Sequence, residues 1–251
     1  MSAGGRGVLL VTGGGRGIGA ATARAAAAAG YAVCVNYASD ADSAGRVVSA
    51  IEGAGGRAVA VQGDVAVEAD VLRIFEAATA LGPLTGLVNN AGISGPIGRV
   101  ADVSAATLDA VFRINVLGAF LCAREAVRRM STARGGAGGA IVNVSSGAAS
   151  RGSAGEFVWY AASKGAIDSL TIGLAKEVAG EGIRVVGIAP GLTETDIHAT
   201  AGEPGRVARM VSMVPLGRAA SPDEVAGQIL FLLSDAAAYC HGGTLRATGG
   251  L

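Results

Sequence analysis

Short apolar runs alternate with longer segments of helical composition along the whole chain. Val8-Leu9-Leu10-Val11 is stopped by Thr12 and a glycine cluster and reads as a buried strand. The alanine-rich stretch Ala20 to Ala29 follows, a strong helix former closed by Gly30. Val33 to Asn36 is a second strand and Ser43 to Ala54 a second helix, with Asp40 and Asp42 as N-cap candidates before it. Ala58 to Val61 is a third strand, Val67 to Leu81 a third helix, and Leu87-Val88 opens a fourth strand that ends in Asn89-Asn90-Ala91-Gly92. Ser104 to Met130 reads as one long helix capped by Ser104. Between Ala110 and Ala123 it is apolar almost all round, Arg113 and Asn115 excepted, which predicts burial on more than one side, against the sheet and against a partner subunit. Arg134 to Gly139 is a flexible surface loop. Ala140 to Val144 is a fifth strand ending at Ser145-Ser146, and the loop Ala148 to Glu156 leads into a helix running to about Val178. Ile183 to Ile188 is a sixth strand ended by Pro190. Thr193 to Arg209 has no clear period and reads as a mobile lid. Pro222 starts a helix to Leu233, and Gly243 to Ala247 is a short last strand.

Strand and helix alternate in steps of about 30 residues, the pattern of βαβ units around a parallel sheet. The expected fold is α/β, one doubly wound domain over residues 1–251. Composition sharpens this. The formal net charge is +0 and no Lys/Arg block occurs, so nucleic acid and anionic membranes are poor partners. The apolar runs are shorter than the roughly 18–20 residues of a membrane span, and the N-terminal apolar run is too short for a signal peptide. Cys34, Cys122 and Cys240 have no metal-ligand or disulfide spacing. His198 and His241 lack ligand partners and read as surface residues. A soluble cytoplasmic protein without a metal is expected.

The candidate chemistry collects at strand ends, where open parallel sheets bind ligands. Gly13 to Gly19 lie between a strand and a helix, a context suited to a phosphate at a helix N-terminus. Gly13 allows the tight turn, Gly17 lets the backbone approach a pyrophosphate, and Gly19 lets helix and strand pack closely. The second strand ends Asn36-Tyr37-Ala38-Ser39, with no carboxylate at its tip to take a ribose 2′-hydroxyl, and Arg16 sits in the glycine loop. Both favour NADP(H) over NAD(H). Tyr160 and Lys164 are a helical turn apart. An ammonium within about 4–6 Å lowers a phenol pKa by roughly 1–3 units, making an acid–base device.

In order along the chain, Thr12-Gly13-x-x-x-Gly17-x-Gly19, Asp64, Asn89-Asn90-Ala91-Gly92, Asn115, Ser146, Tyr160-x-x-x-Lys164 and Pro190-Gly191 resemble the short-chain dehydrogenase/reductase family, in the branch of similar length that includes 3-oxoacyl carrier-protein reductases and glucose dehydrogenases. The resemblance implies a Rossmann-like fold and NADP(H)-dependent oxidoreduction between a carbonyl and a secondary alcohol. In it Tyr160 is the general acid or base, and Lys164 lowers the Tyr160 pKa and bonds the nicotinamide ribose. Ser146 holds the substrate oxygen and Asn115 anchors a water. Asp64 contacts adenine, Asn90 lines the cofactor site, and Pro190-Gly191 borders the nicotinamide. The expected cofactor set is Gly13, Gly15, Arg16, Gly17, Ile18, Gly19, Asn36, Ser39, Asp64, Val65, Asn90, Ala91, Gly92, Tyr160, Lys164, Pro190 and Gly191. Local readings compete: Asp64 as a turn residue, Asn115 as partner of a local carbonyl, Ser145 in place of Ser146. A cofactor-binding protein without chemistry, or a same-fold enoyl reductase or dehydratase, are the rival functions. Two departures bear on the substrate and the assembly. Phe157 and Trp159, in a loop one residue longer than in many relatives, would add apolar bulk to the substrate site. Cys240-His241-Gly242-Gly243 replaces a Thr-Gly near contacts of the expected homotetramer.

Overall fold

The computed structural model describes residues 6–251, so the first five positions of the expected domain lie outside the described residues. In a strand, successive side chains face opposite sides, so an unbroken apolar run needs cover on both. β1 (Val8–Val11) is buried throughout and meets this need at the centre of the sheet. Leu9 and Val11 pack under α1 (Gly17–Ala28), α2 (Ala41–Gly53) and, further along the chain, the helix Pro222–Leu233. Val8 and Leu10 face the other layer, which α3 (Glu68–Ala80) and the helices Ala119–Met130 and Val158–Val178 cover.

The strands β1, β2 (Ala32–Tyr37), β3 (Arg57–Gln62), β4 (Leu84–Asn89), β5 (Gly139–Val144), β6 (Ile183–Pro190) and β7 (Thr244–Ala247) form one sheet of 7 strands, ordered β3-β2-β1-β4-β5-β6-β7. Every neighbouring pair is parallel. The order reverses at β1, which opens a crevice between the carboxyl ends of β1 and β4.

The predicted helix from Ser104 is not continuous. Ser104 caps α4 (Ala105–Phe112) by accepting from the Thr107 N–H, but a π-helical stretch, Arg113–Gly118, separates α4 from α5 (Ala119–Met130). Asn115 sits inside that stretch, 1 % exposed. Its amide donates to Ile93 O and to Ser163 Oγ and accepts from Ile93 N. A buried amide bonded on every side outweighs regular α geometry, and π turns of this kind gather at functional sites. The combined span Ala105–Met130 is long and apolar enough to cross a bilayer by composition. In the structure its α5 part packs on β4 and α3, and Glu125 is buried among Arg124, Arg128 and Arg129.

Two predicted loops carry structure. Ala148–Arg151 is a short helix, α6, ahead of α7 (Val158–Val178). The segment expected to be a mobile lid without periodicity holds α8 (Ile197–Thr200) and α9 (Arg206–Met210). Its inner side packs Met210 on Leu192, Val214 and Ala219. Arg209 ties it to Glu156 at 2.7 Å and to Glu203 at 2.6 Å. The helix α10 (Pro222–Leu233) begins with a complete capping box between Ser221 and Glu224.

Candidate active site

The glycine loop is shaped by backbone conformations that side chains disfavour. Gly13 and Gly17 have φ of +60° and +53°. Gly19 is excluded from any other residue by space, because a Cβ there would lie 2.3 Å from Gly13 O and 2.6 Å from Asn90 Nδ2. Side chains from two neighbouring strands then hold the loop. Thr12 Oγ1 accepts from the N–H groups of Asn90 and Ala91, and Asn90 Nδ2 donates to the carbonyls of Thr12 and Gly13. Asn36 Oδ1 accepts from Gly13 N, while its Nδ2 donates to Gly63 O. The side chains of Asn36 and Asn90, both expected to touch cofactor, brace the loop and also line the cleft over it. Thr12 joins them in the bracing.

A cleft of about 300 Å³ runs over this loop past Ser39, Asp64, Val65, Ala91 and Gly92. Donors at the α1 N-terminus, two left-handed glycines and a floor without side chains fit the phosphates of a dinucleotide. Asp64 Oδ1 accepts from Ala66 N, and its own N–H donates to Asp70, so Asp64 also serves as a turn residue beside the cleft. At the ribose end the Asp40 carboxylate is engaged by the Ser43 hydroxyl and N–H, which hold it below the usual carboxylate range. Arg16 is exposed there, and Arg46 donates to Ser43 Oγ at 2.7 Å. Arg46 carries no motif, and only the fold brings it to this corner.

The second half of the site is a cavity of about 150 Å³ that joins Ser146, Tyr160 and Lys164 to Pro190, Gly191 and Ile18. Ser145 and Ser146 part ways. Ser145 is buried and donates to Lys164 O, whereas Ser146 Oγ accepts from Ala148 N and lies beside the Tyr160 phenol. Lys164 is 4 % exposed and donates to Val144 O at 2.7 Å. Burial drives its pKa down to about 8, with Asp168 opposing. Burial also pushes the Tyr160 phenol up, against the opposing pull of Ser146 and of the Arg206 charge. Among the protein's own groups, burial therefore acts against the lowering expected from Lys164. Desolvation outweighs attraction here, and the lysine bonds a carbonyl, 5.8 Å from the phenol ring centroid. Asn115 and Lys164 close on Gly92 together, since a Cβ on Gly92 would lie 3.1 Å from Asn115 Oδ1 and 3.4 Å from Lys164 Nζ. Asn115 holds the Ile93 backbone, the local role.

His198 corrects an expectation. It is half-buried, lines the cavity, and bonds Thr193 O through Nε2 at 3.1 Å. His241 is exposed, with Nδ1 accepting from Val185 N. Phe157 lines the cavity, but Trp159 lies beneath it, buried with its indole N–H donating to Ser94 O at 2.8 Å. Thr195, Ile197 and Arg206 also line the cavity. They come from the segment without periodicity, and no sequence signal marks them.

The family model described as "Enoyl-(Acyl carrier protein) reductase" matches residues 13–251. The chain belongs to the short-chain dehydrogenase/reductase family. This family member is 50 % identical over 244 residues to "Uncharacterized oxidoreductase YgfF" of Escherichia coli (strain K12), covering 97 % of this chain and 99 % of that one. It is 41 % identical over 245 residues to "Cis-4-hydroxycyclohexanecarboxylate dehydrogenase" of Sinomonas cyclohexanicum, covering 97 % and 95 %. A solved short-chain dehydrogenase from Burkholderia cenocepacia J2315, in complex with NADP, superposes with a TM-score of 0.88 at 34 % identity, covering 96 % of each chain. This short-chain dehydrogenase/reductase is an oxidoreductase.

Proposed function

We propose that this short-chain dehydrogenase/reductase interconverts a small-molecule carbonyl and a secondary alcohol, with Tyr160 as general acid in reduction and general base in oxidation. One observation carries the reading: Ser146 and Tyr160 present adjacent hydroxyls to one cavity, with Lys164 a helical turn away. NADP(H), held by the glycine loop, Arg16 and Lys164, supplies hydride chemistry when bound. Negative charge then develops on the substrate oxygen, and a hydroxyl with a positioned proton donor stabilises it. Ser146 orients that oxygen. Tyr160, kept protonated by burial, delivers the proton. Lys164 shares a buried pocket with Asn115 and Gly92 and takes part in proton return.

The named activity of the Sinomonas relative, on a ring alcohol, supports the same reaction class. The description of the family model favours a second reading, reduction of an enoyl group. We further propose that residues 1–251 act as one catalytic domain, in a cytoplasmic homotetramer that takes neither nucleic acid nor membrane as a partner.

A panel of ketones, aldehydes and enoyl thioesters, followed by NADPH absorbance with product analysis, tests the proposal. Ketones or aldehydes should be reduced to alcohols. Tyr160→Phe should lower turnover by about 10²- to 10⁴-fold with NADPH affinity nearly unchanged. Undiminished turnover in that variant removes Tyr160 from the mechanism, and saturated thioester products establish the enoyl reading instead.

A further inference from the structure

The cavity beyond Tyr160 is mostly apolar, walled by Phe157, Leu192, Ala201 and Met210, but one part of its lining is cationic. Arg151 ends α6, the short helix that starts just after Ser146. Its guanidinium folds back along the helix, so that Nη2 is 3.4 Å from where a Cβ on Gly147 would be. The charge therefore lies next to the residue that follows Ser146.

Nothing acidic answers that charge. Arg151 is exposed at the rim of the cavity, and among the described residues its side chain makes no hydrogen bond and no ion pair. The acidic groups nearby are used elsewhere: Glu156 holds Arg206 at 2.6 Å and Arg209 at 2.7 Å, and Glu203 holds Arg209 at 2.6 Å. The charged groups close enough to act on Arg151 are two more cations, Arg206 and Arg246. Arg206 also lines the cavity, stacked 5.2 Å from the Phe157 ring centroid, with its Nε buried, without a hydrogen bond, and 3.9 Å from Glu203. Arg246 is held aside by Ser150 Oγ. Arg206 has Glu156 and Glu203 as counter-ions, whereas Arg151 has none, so the cavity keeps one cation that an anion can answer.

We propose that the substrate is an oxo or hydroxy acid whose carboxylate is held by Arg151, while its carbonyl or alcohol meets Ser146 and Tyr160. This rests on the carbonyl–alcohol reading above. The planar fork of an arginine matches a carboxylate with two parallel hydrogen bonds. The apolar walls take the carbon skeleton between the two ends. A neutral acyl thioester would leave the guanidinium without a partner.

The experiment compares matched pairs, 4-oxocyclohexanecarboxylate and 4-oxopentanoate each against its methyl ester, with NADPH and the intact protein. The acid should be preferred at least 10-fold in kcat/KM. Arg151→Ala should collapse that preference at least 10-fold, mainly through KM, and Arg151→Lys should keep part of it. Acid and ester used equally by the unmodified protein, or a preference unmoved by Arg151→Ala and Arg151→Gln, overturns the proposal. A second measurement separates it from the reaction itself. Cyclohexanecarboxylate and its methyl ester are titrated into the NADPH-loaded protein by calorimetry. Arg151-dependent binding of the acid without turnover of any carbonyl keeps the anion site and removes the carbonyl reading. Turnover of neutral ketones, with acid and ester binding alike, does the reverse.

Discussion

Lys164 links the site to stability at the level of one side chain. Its pKa in the folded protein is about 8, below its ordinary value of 10.5, because burial disfavours the ammonium. Between those values the unfolded chain holds a proton that the folded chain has lost. Stability therefore gains from this group as pH rises from about 8 to 10.5, and its cost is full below about 8. Cys34 and Cys122, pushed up to about 12 by burial, act in the opposite sense once pH passes 9.0. The lysine contribution is isolated by subtracting the pH–stability curve of Lys164→Met from that of the unmodified protein. The difference should rise by at most about 3.5 kcal/mol across the window, in denaturant melts without cofactor. A flat difference curve would mean that the buried amine keeps an ordinary pKa. Tyr160 shifts upward, so its acid form persists through neutrality. Reduction should hold its rate from neutral pH until the phenol titrates on the alkaline side, and oxidation should gain as pH rises. At the cofactor corner Arg16→Ala should weaken NADPH about 10-fold more than NADH, the size of one charge-assisted hydrogen bond. Equal losses for the two cofactors would take Arg16 out of 2′-phosphate recognition.

Among the elements, the glycine loop shows how a backbone becomes a site. It is held by Thr12, Asn36 and Asn90, and Gly19 leaves no room between α1 and the loop. Gly19→Ala forces its methyl group against Gly13 O and Asn90 Nδ2. It should cost about 1–3 kcal/mol of stability and weaken NADPH more than a surface substitution would, as seen by thermal melts with and without cofactor. Unchanged melting and affinity would show that the loop yields without loss. Most of this level was legible in advance. Apolar runs predicted the first six strands and a short seventh was read at Gly243 to Ala247, and strand ends collected Gly13, Asn90, Ser146 and Pro190 because parallel sheets place their carboxyl ends together. What escaped has a physical reason. The π stretch around Asn115 has the composition of an ordinary helix, and only its buried partners, Ile93 and Ser163, impose the extra residue per turn. The segment from Thr193 carries short helices fixed by ion pairs to Glu156, a residue distant in sequence, so its pattern shows no period. Arg151 and Arg206 have no motif at all. Their importance comes from which carboxylates are already occupied.

At the scale of the whole molecule, the unburied apolar surface bears on the proposed assembly. Phe112, Leu117 and Phe120 on the α4–α5 run are 40–48 % exposed, and Ile172 on α7 is 48 % exposed. The two helices lie together through Ala119, Ile167 and Leu170, so their outer faces form one surface. A second group, Phe231, Tyr239 and Leu245, lies on α10 and near the edge strand β7, elsewhere on the molecule. Large contiguous apolar patches are rarely left to solvent. Two distinct patches suit a tetramer with two kinds of two-fold contact, each self-complementary, whereas one patch would suit only a dimer. A charge at the centre of one contact should then break that contact alone. Phe120→Glu is expected to convert tetramers to dimers by light scattering at micromolar concentration, and Phe120→Glu with Leu245→Glu to yield monomers. The sheet lies between the two surfaces, and neither substitution touches the cavity or the cofactor cleft. A single step from tetramer to monomer on Phe120→Glu would mean that the second surface does not hold by itself, and a monomeric unmodified protein would remove both contacts.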